Sequence, residues 1–300
     1  MQKKRILVIG LGSMGFGIAE SLLRAGHTVF GADINRDQVD ALCTKGAQTV
    51  EKLGTDKADI LVSVVLNAEQ TETVLYGAPD FAARLTDGGT IISCATIPPE
   101  TAKRMEAEAH ARGLQYLDAP ISGGSVRAAE GKLSVMASGT DAAFAGAQPA
   151  LDATAETVHN LGPAAGAGSA MKAVNQLLAG VHIAAMGEAL AFGMTQDLTV
   201  ERMIDVISVS AGSSWMFENR APHIRDADYT PRSSVNIWPK DLGIVAEIAS
   251  SAGLEIPITQ TALTLYRDAA NAGLGLQDDA AIIKPYAASV GLKLPGEAGE

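Results

Sequence analysis

Hydrophobic and polar positions follow two alternating patterns in the first half of the chain. Short, unbroken apolar runs are typical of strands that are buried on both faces. The candidate strands are 5–9 (RILVI), 28–32 (TVFGA), 59–65 (DILVSVV), 90–94 (TIISC) and 114–117 (LQYL). Stretches with helical periodicity, such as 13–24 and 99–112, lie between them. Strands that alternate with helices predict a parallel sheet with right-handed crossovers.

The pattern changes after about residue 160. A glycine-rich connection at 162–168 (GPAAGAG) leads into one long helical stretch at 169–195, rich in Ala, Leu and Met. Further amphipathic segments occur at 200–210, 239–251, 259–272 and 278–289. The chain is therefore predicted to have an α/β domain at 1–164, an interdomain helix at 165–195 and an all-α domain at 196–300. The tail from Leu294 is expected to be loose.

Composition narrows the class of protein. A chain of 300 residues is long enough for two domains. Lys plus Arg number 23 against 34 Asp plus Glu, a net charge of −11, which argues against nonspecific binding to nucleic acid or anionic membranes. The two cysteines cannot build a disulfide framework, so we expect a reducing, cytoplasmic compartment.

Membrane insertion and secretion are not expected. The sequence has no unbroken run of 18 apolar residues, so we expect no transmembrane helix. The basic start and the apolar run 6–9 superficially resemble a signal peptide. Glycines at 10, 12, 15 and 17 interrupt that run, which favours a cytoplasmic protein.

A glycine-rich turn follows the first candidate strand. The match to G-x-G-x-x-G is Gly10-Leu11-Gly12-Ser13-Met14-Gly15. In this setting the glycines permit a tight turn, close approach of a pyrophosphate and close helix packing. Asp33 ends the second strand, where a carboxylate binds ribose hydroxyls and repels a 2′-phosphate. The pattern predicts an NAD-binding Rossmann domain with a doubly wound sheet; a purely structural turn, or an Arg36 that accepts NADP, remains the alternative.

Four segments in this order resemble the β-hydroxyacid dehydrogenases, the family of 3-hydroxyisobutyrate dehydrogenase, tartronate semialdehyde reductase and 6-phosphogluconate dehydrogenase. The segments are 10–15 with Asp33, 118–124 (DAPISGG), 162–175 (GPAAGAGSAMKAVN) and 240–242 (KDL). The resemblance covers nearly the whole chain. It implies hydride transfer between NAD and a small hydroxy acid in a homodimer or homotetramer. The sequence has no Cys or His cluster with metal-ligand spacing, so we expect a route without a metal. Imine reductases share the scaffold but usually lack a lysine at position 172.

The chain is more similar to the L-threonate dehydrogenase branch of that family. The segments that carry this similarity are 176–185 (QLLAGVHIAA), 214–220 (SWMFENR), 228–231 (DYTP), 240–245 (KDLGIV) and 271–273 followed by Asp278-Asp279. A short 2,3-dihydroxy acid is then the expected substrate. Tartronate semialdehyde reductase and 3-hydroxyisobutyrate dehydrogenase are the alternative activities, and a non-catalytic dinucleotide sensor is the alternative from another class.

The resemblance also implies roles for individual residues. Lys172 is expected to handle the proton, because burial beside a cationic nicotinamide lowers the pKa of a lysine and a charged lysine still stabilises an alkoxide. Asn175 shares its helix face and is expected to contact substrate or hold the lysine. The substrate carboxylate is assigned to Ser122, Gly123 and Gly124.

The remaining candidates concern the cofactor and the substrate tail. Thr96 follows a strand and is expected near the nicotinamide or its ribose. Lys240 is expected to reach the cofactor or substrate, with Asp241 holding it or capping the helix. His182 is interpreted as a packing residue. Weaker candidates for the substrate tail are Arg127, Ser214, Trp215, Phe217 and Asn219, of which the aromatic pair fits a core equally well.

Overall fold

A computed structural model describes residues 3–297, and the chain divides into two compact units after Lys172. The first unit contains a six-stranded parallel sheet with the order β3-β2-β1-β4-β5-β6. Its strands are β1 (Arg5–Ile9), β2 (Thr28–Ala32), β3 (Gln48–Thr49), β4 (Ala58–Ser63), β5 (Leu85–Ser93) and β6 (Gln115–Asp118). This is the strand order of a doubly wound dinucleotide-binding fold, so the predicted fold class is confirmed.

Helices connect these strands, and a second, smaller sheet follows them. The helices of the first unit are α1 (Gly15–Arg24), α2 (Arg36–Thr44), α3 (Ala68–Tyr76), α4 (Pro99–Ala111), α5 (Gly124–Glu130) and α6 (Asp141–Thr154), with 3₁₀ helices at Val50–Leu53 and Phe81–Arg84. The second sheet has the order β7-β8-β9, formed by β7 (Ile121–Ser122), β8 (Leu133–Ala137) and β9 (Ala155–Asn160). Sequence reasoning missed this sheet, of which β7 has only two residues and β9 is mostly exposed.

The two faces of the main sheet explain the unbroken apolar runs. Along β1, Ile6 and Val8 pack into one hydrophobic core, whereas Leu7 and Ile9 pack into another. Successive side chains of a strand point to opposite faces, so a strand covered by helices on both sides needs apolar residues at every position. The prediction of strands buried on both faces is confirmed for β1.

The second unit is helical in residues 173–297. Its elements are the long helix α7 (Ala167–Met194), which begins in the first unit, then α8 (Val200–Ile207), α9 (Trp215–Arg225), α10 (Ile237–Ser251), α11 (Pro257–Ala269) and α12 (Ile283–Ser289), with a π-helical turn at Ala270–Leu274 and a 3₁₀ helix at Asp279–Ile282. Trp238 stacks on Tyr266 with their ring centroids 5.6 Å apart. A buried ion pair joins Arg220 Nε to Asp279 Oδ1 at 2.6 Å.

Helix α7 is the most apolar helix of the chain described here. By length and composition it could span a membrane, with a mean hydropathy of 1.5 over its most apolar window, of which 44% is buried within the protein. Ile183, Met186 and Leu190 of this helix belong to the core of the second unit. These contacts are those of a core helix in a globular domain.

Two expectations about the second half need revision. The tail was expected to be loose from Leu294, but the side chain of Leu294 is buried in the core of the second unit; residues 298–300 lie outside the described part. Helix α9 was also not anticipated. Its sequence contains Pro222 and several polar residues, so its apolar positions form no clear helical stripe.

Candidate active site

The carboxyl ends of the parallel strands bring the first group of candidate residues to one edge of the main sheet. Gly10 follows β1, Asp33 follows β2 and Thr96 lies three residues beyond the end of β5. The strand order reverses between β1 and its neighbour β4. Ligands of open α/β sheets bind in the crevice at such a switch point.

The three glycines of the turn are required for different reasons. A Cβ on Gly10 would lie 2.4 Å from the carbonyl oxygen of Val64, and a Cβ on Gly15 would lie 1.8 Å from the carbonyl oxygen of Gly10. A Cβ on Gly12 would meet nothing within 4 Å among the described residues beyond its chain neighbours. The fold therefore requires Gly10 and Gly15, whereas the open space over Gly12 fits a ligand that approaches the backbone.

The start of helix α1 also fits an anionic ligand. No side chain in the described chain caps its first turn, and that turn contains no acidic residue. The first N–H groups of a helix carry a partial positive charge and bind phosphate readily. The turn and the helix start together fit the pyrophosphate of a dinucleotide.

A pair of glycine variants separates the two roles. Gly12→Ala is expected to leave the melting temperature unchanged or slightly raised, because an alanine fits there. Alanine also lowers the entropy of the unfolded chain, which stabilises the folded state by about 0.4–1 kcal/mol. The same variant is expected to raise the Kd for NAD at least about tenfold, or about 1.4 kcal/mol. Gly15→Ala is expected to cost at least about 1–3 kcal/mol of stability through overpacking. Thermal denaturation and NAD titration check both; a Gly12→Ala protein with unchanged NAD affinity would contradict this interpretation.

Asp33 organises the loops around the predicted ribose site. Its Oδ2 accepts a hydrogen bond from the Leu11 amide at 2.5 Å, and its Oδ1 accepts one from the Asn35 amide at 2.7 Å. The carboxylate thus connects the glycine-rich turn to the end of β2. Ile34, the next residue, is fully exposed. It is a candidate contact for an adenine ring, which sequence reasoning missed although an apolar residue directly after the acidic one was the available signal.

Lys172 and the segment 122–124 lie close together in the first unit. Lys172 is 7% exposed, and its Nζ donates a hydrogen bond to the carbonyl oxygen of Ile121 at 2.8 Å. Ser122 follows Ile121 directly, and Gly123 and Gly124 have φ values of +135° and +76°, which favour glycine. The structure therefore places the predicted proton-handling group beside the start of the predicted carboxylate site.

Two buried titratable groups lie at the ends of β5 and β6. Burial raises the pKa of Asp118, and hydrogen bonds from Ser169 and the Gly166 amide act in the opposite direction. Burial, together with the charge of Asp118, raises the pKa of Cys94 to about 12. The thiol of Cys94 is therefore neutral and unreactive near neutral pH. Sequence reasoning gave Asp118 no role of its own.

In the second unit, a chain of hydrogen bonds connects the candidates Asn175 and Lys240. Asn175 Nδ2 donates to Gln176 Oε1 at 2.9 Å, and Gln176 Nε2 donates to Asp241 Oδ2. Asp241 also pairs with Lys240, whose Nζ lies 2.6 Å from Oδ1. Of the two roles considered for Asp241, contact with Lys240 is the one observed. Sequence reasoning missed Gln176, the residue that completes the connection.

The weaker candidates have mostly structural contacts. Phe217 is buried in the core of the second unit, and Trp215 is 58% exposed. Ser214 caps α9, since its hydroxyl accepts a hydrogen bond from the Phe217 amide at 3.0 Å. Asn219 accepts a hydrogen bond from Arg220.

Two further candidates lie apart from these. The guanidinium of Arg127 pairs with Glu156 at 3.0 Å on the surface of the first unit. His182, interpreted as a packing residue, is half-buried on α7, and Thr96 is half-buried at its strand end.

The chain matches known protein families along most of its length. Residues 5–162 match the model for the NAD binding domain of 6-phosphogluconate dehydrogenase, and residues 166–286 match the model described as NAD-binding of NADP-dependent 3-hydroxyisobutyrate dehydrogenase. The chain belongs to the β-hydroxyacid dehydrogenase family. As a member of that family, it is an NAD-dependent enzyme that acts on a CH–OH group.

Individual relatives of this β-hydroxyacid dehydrogenase match over almost their full length. An L-threonate dehydrogenase of Pectobacterium atrosepticum is 44% identical, covering 94% of this chain and 93% of the relative. One from Cupriavidus necator is 44% identical, covering 98% and 99%. The crystal structure of a 3-hydroxyisobutyrate dehydrogenase from Salmonella typhimurium has 43% identity and a TM-score of 0.89, covering 94% of this chain and all of that one.

Proposed function

We propose that this dehydrogenase oxidises a short 2,3-dihydroxy acid, L-threonate in particular, to 2-oxo-tetronate (2-dehydro-L-erythronate), and that Lys172 handles the proton. The contact between Lys172 Nζ and the carbonyl oxygen of Ile121, at 2.8 Å, carries this proposal. This hydrogen bond holds the amino group of Lys172 beside the residue that precedes Ser122. A carboxylate on the 122–124 segment would then present its C2 hydroxyl to the lysine.

The residues of the site have different roles in this scheme. The Ser122 hydroxyl and the amides of Gly123 and Gly124 bind and orient the substrate carboxylate. Lys172 receives the hydroxyl proton in its neutral form, and in its charged form stabilises the developing alkoxide. Bound NAD supplies the chemistry of accepting the hydride from C2. The glycine-rich turn and Asp33 would hold that cofactor, with Thr96 and Lys240 as further candidates, and Asn175 would contact the substrate or hold Lys172.

The substrate assignment rests on the relatives. L-threonate dehydrogenases at 42–44% identity match the chain along nearly its whole length. The 3-hydroxyisobutyrate dehydrogenase from Salmonella typhimurium, at 43% identity, favours that activity as the second candidate. The direct test is a panel of L-threonate, D-erythronate, D-glycerate and 3-hydroxyisobutyrate with NAD at about pH 8–9, where a lysine base is less protonated. If another acid of the panel gave the highest kcat/KM, the assignment of L-threonate as the substrate would be overturned.

Selectivity for NAD over NADP is proposed to depend on Asp33. Asp33→Ser is expected to lower kcat/KM for NAD about ten- to hundredfold, because it removes charge-assisted hydrogen bonds to the ribose and frees the Leu11 amide. NADP turnover is expected to rise little, since Arg36 lies within 3.4 Å of Asp40 and 3.8 Å of Glu51. The ratio of kcat/KM for the two cofactors measures the effect. An unchanged ratio would place selectivity elsewhere.

We also propose a cytoplasmic homodimer or homotetramer. Helix α7 leaves Val174, Leu178 and Phe192 at least 49% exposed, a large apolar surface for a monomer. Cys43 and Cys94 are both free thiols, which suits a reducing compartment. Light scattering of the purified protein tests the oligomeric state, and a monomer at micromolar concentration would contradict it.

A further inference from the structure

The carboxylate of Asp118, at the end of β6, is completely buried in the first unit. Its Oδ2 accepts hydrogen bonds from the amides of Gly166 at 2.9 Å and Ser169 at 2.8 Å. Its Oδ1 accepts the hydroxyl of Ser169 at 2.7 Å. The hydroxyl of Ser138 lies 3.4 Å from Oδ2 and itself accepts the Gly168 amide at 2.9 Å.

These donors surround the beginning of α7. The first N–H groups of a helix have no partner within the helix and carry its partial positive charge. Asp118 and Ser138 accept hydrogen bonds from these N–H groups. The Asp118 carboxylate therefore caps α7, although it belongs to a strand 48 to 51 residues earlier in the chain. A buried carboxylate is stable only when such donors surround it.

Backbone packing supports the same attachment. A Cβ on Gly168 would lie 2.4 Å from the carbonyl oxygen of Met136 and 2.7 Å from that of Asp118. The helix therefore begins in direct contact with β6 and β8. Only a glycine at position 168 lets the helix backbone lie this close to the two strands. The hydrogen bonds of Asp118 then determine which residues form the first turn of α7.

The geometry points to Asp118 as the positioning residue for Lys172. Segment 118–121 is joined to segment 169–172 at both ends. At one end Asp118 accepts hydrogen bonds from Ser169, and at the other the carbonyl oxygen of Ile121 accepts one from Lys172. Asp118 thus places the ammonium group relative to Ser122 without touching substrate. This inference rests on the proposed function, in which Lys172 handles the proton.

Two variants of Asp118 test the inference. Asp118→Ala removes every acceptor and is expected to lower kcat about 10²-fold, the effect of displacing a reacting group by about 1 Å. Asp118→Asn is expected to recover most of that loss, because its carbonyl oxygen can accept both amides and its NH₂ group can donate to the Ser169 hydroxyl. The KM for NAD is expected to stay within about twofold in both, since the glycine-rich turn is untouched.

Leu117→Val is the matched control. Leu117 is buried beside Asp118 on the same strand, so shortening it weakens the core without changing the start of α7. It is expected to keep kcat within about twofold and to leave the pH profile of kcat unchanged. Asp118→Ala is expected to shift that profile. An identical loss of kcat in both variants, with unchanged profiles, would show that Asp118 serves stability alone.

A double variant separates this inference from the proposed function. If Asp118 acts through Lys172, Asp118→Ala combined with Lys172→Ala is no slower than Lys172→Ala, because residues that act as a unit are non-additive. Additive losses would overturn the positioning role and leave the role of Lys172 intact. Full activity of Lys172→Ala would instead overturn the proposed function. If Asp118→Ala does not fold, Ser169→Ala, which removes one donor and keeps the carboxylate, is compared with Leu117→Val in the same way.

Discussion

Lys172→Ala is expected to lower kcat at least about 10²-fold while the affinity for NAD stays nearly unchanged. The lysine is the group proposed to receive the hydroxyl proton, and its Nζ is held 2.8 Å from the carbonyl oxygen of Ile121. The glycine-rich turn and Asp33, which are proposed to bind NAD, follow other strands of the sheet. Loss of the lysine therefore removes proton handling without altering that part of the cofactor site.

Steady-state kinetics with L-threonate and a separate NAD titration measure the two effects. Lys45→Ala is a suitable control, because this lysine is 57% exposed and pairs with Glu20 on the surface. It is expected to behave as the unmodified enzyme. A Lys172→Ala variant that keeps more than about a tenth of its activity would remove this lysine from the mechanism.

The kcat/KM for L-threonate is expected to exceed that for 3-hydroxyisobutyrate by up to about 10⁴-fold. A site that hydrogen-bonds the substrate hydroxyls leaves its own polar groups unpaired when a methyl group takes their place. The Ser122 hydroxyl and the Gly123 and Gly124 amides are suited to a small carboxylate. In the proposed function, a carboxylate bound there would present the hydroxyl of its neighbouring carbon to Lys172.

Both acids are to be compared with NAD under identical conditions. D-glycerate is an informative third substrate, because it keeps the hydroxyls on C2 and C3 and lacks the fourth carbon with its hydroxyl. Equal or better turnover of 3-hydroxyisobutyrate would refute the L-threonate assignment, whereas membership of the dehydrogenase family would be unaffected.

Local contacts explain why much of the fold was predictable. Strand β1 was predicted with its observed bounds, because an unbroken apolar run between polar residues has one interpretation in a sheet covered on both sides. The glycine-rich turn was predictable for a similar reason, since its conformation depends on neighbouring residues. Helix α9 and strands β7 and β9 were missed, because α9 contains several polar residues, β7 has only two residues and most of β9 is exposed.

The candidate site was predictable in its residue types and not in its connections. The motifs identified Lys172, Asn175 and Lys240, but Gln176 and Asp118 received no role. Gln176 meets Asp241 across 65 residues of chain, and Asp118 meets Ser169 across 51. When the partner of a buried polar residue is distant in the sequence, the sequence does not distinguish that residue from an exposed polar one. The contact becomes visible only in the folded structure.

The sequence by itself determined the alternation of strands and helices and the position of the dinucleotide turn, because both depend on local periodicity or on residues adjacent in the chain. The family of reactions came from the resemblance of four sequence segments to the β-hydroxyacid dehydrogenases. Only the tertiary structure decided that Gly12 faces open space while Gly15 packs against backbone, that Leu294 is buried, and that Asp118 caps the helix carrying Lys172. These features depend on contacts between distant segments. Burial makes such contacts specific, since every buried donor and charge must find a partner.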